Sequence, residues 1–273
     1  MKDIDELKKI AVLIDADNAQ LTKLKPILAE ISTHGHIIVK RAYGDWSSPV
    51  LKNWKSELNE LAIQPIQQFS YTTGKNSTDA AMIIDAMDLL YTAKYDAFVL
   101  VSSDSDFTML ASRLRTSEIY VFGVGEQKTP KSFRNACDDF MFTEYLGATQ
   151  LVEPGVSKTT IPEEHETTKT LTAPKGTNTT DTTTAESVHN GNIEAISSLL
   201  DLAYEKYADE GGWVNVSYAG DFIKRSMPDF DSRSFGFSKL TGLIASLPKK
   251  YEMKKYKGKG TTNIIAYKKK KSA

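Results

Sequence analysis

Two carboxylates, Asp104 and Asp106, stand one residue apart where the apolar run "FVLV" (98–101) gives way to "SSDSDF". Asp15 and Asp17, with Asn18 beside them, follow a second apolar run, "IAVLI" (10–14). A further acid, Asp79 in "GKNSTDAAM", opens a strongly helical segment. Each alone has a bland explanation, because Asp after a strand commonly serves as a turn residue or helix cap. As a set they point to metal chemistry. Like charges a few ångströms apart repel, and a bound cation relieves that cost. Hard oxygen donors with no Cys or paired His favour magnesium or manganese over zinc. The single Cys137 excludes a disulfide framework and a multi-cysteine zinc site, and His34, His36, His165 and His189 are not spaced around the acids. Carboxylate-held magnesium at such a rim handles phosphate: it activates water, neutralises a non-bridging oxygen and stabilises the leaving oxygen.

Such a site needs elements that bring three distant segments to one place. Strand-like runs at 10–14, 36–44, 96–102 and 119–125 alternate with helix-like spacing at 21–33, 48–61, 77–92 and 107–115. A weaker strand over 62–69 contains Pro65, which argues for a position near an edge. In the helix over 77–92 the apolar stripe is read as Ala80, Ile83, Ile84, Met87 and Leu90, with Asp85 and Asp88 on a solvated polar face. Fully apolar strands alternating with helices predict a parallel sheet in a three-layer α/β/α sandwich. In such a sheet the ligand crevice lies outside the carboxyl ends of the strands, where Asp15, Asp104 and Asp106 fall.

The segment 147–190 is poor in aromatics and rich in Thr, Pro, Glu and Gly, and reads as a flexible linker. At about 40 residues its root-mean-square span would be on the order of 35 Å. Beyond it, helices over 193–207, 218–226 and 235–247 and two strands around a Gly-Lys-Gly turn predict a small winged helix. The expected units are therefore 1–146, a linker over 147–190, and 191–273.

Charge is uneven. Residues 1–146 hold 16 Lys+Arg against 20 Asp+Glu, whereas residues 190–273 hold 15 against 9, a net of +6 that suits an anionic partner. Lys224, Arg225, Lys254, Lys255 and Lys257 are candidate phosphate contacts, and Tyr251, Tyr256 and Tyr267 candidate stacking partners for bases. Trp213, Phe222, Phe235, Phe237 and Leu240 are expected in the core. The start "MKDIDELKKI" has no signal-peptide core, and no apolar run reaches the roughly 20 residues of a membrane span, so a cytoplasmic protein with no membrane partner is expected. Oligomeric state stays open, a homo-oligomer included.

The stretches "VLIDADNA", "GKNSTDAAMIIDAMDLL", "VLVSSDSDFTMLASRLR" and "VFGVGEQKTPKSFRNACDDFMFTEYL" together resemble the NYN family of PIN-like, metal-dependent ribonucleases that includes the LabA-like proteins. The resemblance implies that Asp15, Asp79, Asp104 and Asp106 hold Mg2+ or Mn2+, with Asp15 and Asp104 as main ligands. It further implies that Asn18 steadies the metal or the scissile phosphate, that Lys75 contacts phosphate, and that Ser102 shapes the acidic turn on the substrate side. Asp17 falls where the family varies. The tail resembles the LOTUS (OST-HTH) domain, which implies an RNA-binding winged helix. RNA is thus the expected partner and substrate. Two other readings stand beside this one. One is an RNA-binding adaptor that has lost turnover. The other is a haloacid-dehalogenase-type phosphatase, with Asp15 as nucleophile and Asp17 as acid/base, although Asn18 and Ala19 depart from that motif.

Overall fold

A computed structural model describes residues 8–69, 77–147, 183–257 and 263–270, with residues 183–192 described as helix backbone only. In the first part, β1 (Lys9–Asp15), β2 (His36–Gly44), β3 (Gln64–Gln67), β4 (Ala97–Val101), β5 (Tyr120–Gly125) and β6 (Asp139–Phe142) form one sheet, ordered β3-β2-β1-β4-β5-β6. Every pairing is parallel. The chain builds outward from β1 through β2 to β3, then crosses to β4 and builds the other way. The order therefore reverses between β1 and β4, and a crevice opens at their carboxyl ends. Those are the two strands that Asp15 and Asp104 follow.

Helices cover both faces. On one, α1 (Leu24–Ser32) and α2 (Trp54–Glu60) pack Leu24, Ile27, Ile31, Trp54 and Leu58 against Val12 and Ile14. On the other, α3 (Ser77–Tyr91), α4 (Thr108–Thr116) and α5 (Lys131–Ala136) pack Met82, Leu110 and Phe133 against Leu13 and Leu100. Layers on both sides explain why β1 and β4 are continuous apolar runs rather than alternating ones. The three-layer α/β/α expectation is met. So is the edge position of β3, which carries Pro65.

The rotation of α3 differs from the expected stripe. Thr78, Asp79, Met82, Ala86 and Leu89 face inward, while Ala80 is exposed and Ile84 is 63% exposed. Apolar residues occur all round this helix, so spacing alone does not fix which side faces the sheet. Polar partners settle it. Asp85 pairs with Arg41 at 2.5 Å and accepts a short hydrogen bond from the Tyr43 hydroxyl, both on β2. Asp85 is thus a structural anchor and not a solvated residue.

The second part joins α6 (Thr183–Tyr207), β7 (Val214–Asn215), α7 (Val216–Ser226), α8 (Leu240–Ala245), β8 (Tyr251–Lys257) and β9 (Asn263–Lys269). Its antiparallel sheet runs β7-β9-β8 and closes over a core that includes Ile196, Leu200, Val214, Ile223, Leu243 and Tyr267. Helices followed by a hairpin match the winged-helix expectation. The backbone is already helical at Thr183, within the stretch read as linker; most of that stretch lies outside the described residues.

Neither α5 nor β6 is legible as an element in the sequence, being six and four residues long. All four residues of β6 are buried although it ends the sheet, because the second part sits against it. The Phe140 N–H donates to the Pro228 carbonyl at 2.8 Å. Arg134 pairs with Asp229 at 2.5 Å, Lys224 with Asp139 at 2.5 Å, and Arg233 donates to the Tyr145 carbonyl at 2.9 Å.

Candidate functional site

At the crevice, three acids converge. One carboxylate oxygen from each of Asp79, Asp104 and Asp106 lies within 4.8 Å of the others. Asp79 comes from the first turn of α3, and Asp104 and Asp106 from the loop after β4. The loop geometry is local chemistry. Asp104 caps a short 3-10 turn by accepting from the Asp106 N–H at 3.0 Å, and its own N–H donates to Ser102 Oγ at 3.0 Å. The capping role and the cluster coexist, since Asp104 still presents an oxygen to its neighbours.

Asp15 lies beside this cluster and is only 1% exposed. Its Oδ2 accepts from Ser102 Oγ at 2.7 Å and from Asn18 Nδ2 at 2.9 Å, and its Oδ1 accepts from the Asp17 N–H at 3.1 Å. Three donors take up most of the about four acceptor positions of its carboxylate and fix it next to the three-oxygen group. Ser102, read as a substrate contact, is itself 1% exposed and clamps the β1 and β4 loops together. The clamp is tight: a Cβ on Gly125 of β5 would come within 2.6 Å of the Ser102 carbonyl.

The electrostatics follow from crowding. Burial raises the Asp15 carboxyl above its ordinary value, against hydrogen bonds from Ser102 and Asn18 that lower it. Asp79 is raised from 3.8 to about 6, first by burial and then by the charges of Asp15, Asp104, Asp106 and Asp17. Below about pH 6 such a group keeps its proton until a cation displaces it. Donor oxygens around a magnesium ion, about 2.1 Å from it, stand about 3–4 Å from one another. Three carboxylate oxygens within 4.8 Å of one another stand near that spacing, and an all-oxygen set fits magnesium or manganese better than zinc.

The remaining expected residues fare unevenly. Asn18 reaches the site through Asp15; Asp17 is exposed and contributes its backbone N–H and its charge. Lys75 lies outside the described residues. In the tail, Arg225, Lys254, Lys255 and Lys257 are exposed, but Lys224 is spent on Asp139. Tyr251 and Tyr267 cannot stack on bases, being 2% and 0% exposed. The Tyr251 hydroxyl meets Ser197 and Asp201, and that of Tyr267 donates to the Leu200 carbonyl. Trp213, expected in the core, instead packs against the ammonium groups of Lys254 and Lys268, 5.6 and 5.8 Å from its ring centroid. An aromatic in "GGWVNV" is equally compatible with either placement, so only the strand register locates it.

Among the described residues no helix is long and apolar enough to cross a membrane. The NYN domain family model matches residues 9–146, and the OST-HTH/LOTUS domain model residues 189–262. No curated protein matches the chain. Among solved structures, it is similar to the crystal structure of a protein of unknown function from Vibrio parahaemolyticus, at 20% identity over 52% of this chain and 96% of that one, with a TM-score of 0.43. It is also similar to the solution structure of an uncharacterized protein from Nitrosomonas europaea, at 20% identity over 41% of this chain and 95% of that one, with a TM-score of 0.25.

Proposed function

The chain belongs to the NYN domain family, and from that premise we propose that it is a magnesium- or manganese-dependent ribonuclease hydrolysing RNA phosphodiester bonds. The NYN domain points to a nuclease family, and the OST-HTH/LOTUS domain to RNA binding. The observation that carries the reading is the convergence of Asp79, Asp104 and Asp106 at the point where the strand order reverses. These three would hold the ion. When bound, it supplies a Lewis acid that activates water and neutralises charge developing on the phosphate. Asp15 keeps the geometry: through Ser102 it fixes the loop that carries Asp104 and Asp106, and through Asn18 it fixes its own loop. Lys75, four residues before Asp79 in the sequence, would contact phosphate. Arg225, Lys255 and Lys257 would hold RNA backbone, with Lys254, while residues 1–146 form the nuclease unit, 147–190 a linker and 191–273 the RNA-binding unit. The cytoplasm is the proposed compartment.

The phosphatase alternative needs Asp15 as an open nucleophile, and its burial together with three hydrogen-bond donors speaks against that role. The deciding experiment incubates the purified chain with labelled single- and double-stranded RNA, with and without manganese, beside Asp104→Asn. Metal-dependent cleavage by the wild type and none by the variant is expected, with RNA binding retained. RNA binding without any cleavage by the wild type would assign the chain to the adaptor reading.

A further inference from the structure

The three-stranded sheet of the tail has a core face and an outer face, and the register assigns residues to each. Val214 pairs with Tyr267, and Met253 pairs with Tyr267 from the other side; these side chains belong to the core. Side chains alternate along a strand, so Trp213, Asn215, Lys254, Tyr256, Ala266 and Lys268 lie on the opposite face. Ala266 has no exposed area despite facing outward, because larger neighbours close over it. The result is a shallow platform with a half-buried indole at one end and Tyr256, 38% exposed, on the far strand.

The indole is held in place. Asp209 Oδ1 accepts from the N–H groups of Gly211 and Trp213 at 2.9 and 2.7 Å, and the Asp209 N–H donates to the Trp213 carbonyl at 2.9 Å. Gly212, at φ +74°, supplies the left-handed turn that a side chain would resist. Lys268 is fixed as well, its Nζ donating to the Gly211 carbonyl at 2.9 Å. Two ammonium groups therefore stand around one ring, with one acid, Glu252, in the row of Lys268; Lys255 and Lys257, exposed farther along β8, alternate to the other face. Like charges gathered at one aromatic suit a ligand that brings both a π-face and a phosphate.

We infer that Trp213 is a base-stacking platform for single-stranded RNA, with Lys254 and Lys268 gripping the phosphates that flank the stacked nucleotide. This rests on the RNA-binding reading above and adds to it the residue that meets a base. The next rows of the same face, Asn215 and Ile264, line a cavity of about 770 Å³ that also borders Asp139 and Phe140 of the nuclease unit, so a strand leaving Trp213 along β9 would enter the space between the two units.

The test uses the full chain in EDTA, so that binding is read without cleavage. Labelled oligoadenylate is titrated while tryptophan fluorescence and affinity are recorded, with inorganic polyphosphate as a ligand that has no bases. Trp213→Phe keeps a smaller ring and Trp213→Ala removes it, while Trp46 and Trp54 remain in every variant. Quenching by oligoadenylate and not by polyphosphate is expected, and it should vanish in Trp213→Phe. Trp213→Ala should weaken binding about ten- to hundredfold with an unchanged salt slope. Trp213→Phe should fall between, which separates a lost stack from a damaged fold. Lys254→Ala or Lys268→Ala should instead make the salt slope shallower by about one. Salt-dependent RNA binding that Trp213→Ala leaves at wild-type affinity would overturn the platform alone. Equal quenching by polyphosphate would also overturn it, in favour of a general polyanion or acidic-protein surface. An absence of RNA binding by the wild type would overturn the RNA-binding reading as well.

Discussion

Ser102 ties Asp15 to the loop that carries the other acids, although 87 residues separate the two in the chain. Its hydroxyl donates to Asp15 Oδ2 at 2.7 Å and accepts from the Asp104 N–H at 3.0 Å. One buried oxygen thus sets the relation between the ends of β1 and β4.

Replacing it should be felt twice. Ser102→Ala leaves a buried carboxylate short of a donor and a loop N–H short of its acceptor. We expect a loss of about 1–3 kcal/mol in stability and a larger fractional loss of cleavage than of RNA affinity. Thermal unfolding with parallel cleavage and binding assays checks this; equal losses of both functions would show general unfolding instead.

Asp79 should be a residue whose charge costs the metal-free protein stability. Its carboxyl rises from 3.8 unfolded to about 6 folded, so the folded state binds more protons in that interval. Stability of the metal-free chain therefore falls as pH rises from about 4 to about 6, then levels off. Asp79→Asn removes that decline and should raise the melting temperature at pH 7.5 while abolishing cleavage. A wild-type pH profile retained by the variant would assign the decline to another group.

Metal affinity should show the same proton. A cation must displace it from Asp79, so manganese affinity should strengthen as pH rises through about 6, with proton release that vanishes well above that value. Calorimetry in buffers of different ionisation enthalpy reads the release directly. Flat affinity between pH 5 and 7 would count against Asp79 as a ligand.

The junction between the two units should loosen when its ion pairs are broken. Arg134 and Asp229 are only 14% and 19% exposed at their side chains, and Asp229→Ala leaves the guanidinium unpaired. Hydrogen exchange of the Phe140 amide, bonded to Pro228, should then accelerate tenfold or more, as about 1.4 kcal/mol of lost protection requires. Exchange at the wild-type rate would mean that the pair contributes nothing to docking.

Much of the architecture was legible because β1 and β4 are unbroken apolar runs that end in acids, which together announce a covered parallel sheet and a rim. The rotation of α3 was not, since apolar residues surround it and the decisive partners, Arg41 and Tyr43, lie on a different strand. The division of labour among the acids was hidden for a similar reason. Spacing brings Asp15 to the rim, but only the Ser102 and Asn18 hydrogen bonds reveal that it sits beside the three-oxygen group. In the tail, tyrosine and tryptophan are amphipathic enough for core or surface. Tyr267 went inward and Trp213 outward because they fall on opposite sides of one pleat.

The partner that meets β6 is a proline carbonyl, and its chemistry has a consequence for self-association. Pro228 has no N–H to return, so the ladder receives one bond there and gains no reciprocal rung. At its β6 edge the sheet is terminated, and a strand from another molecule cannot extend it there while the tail is seated.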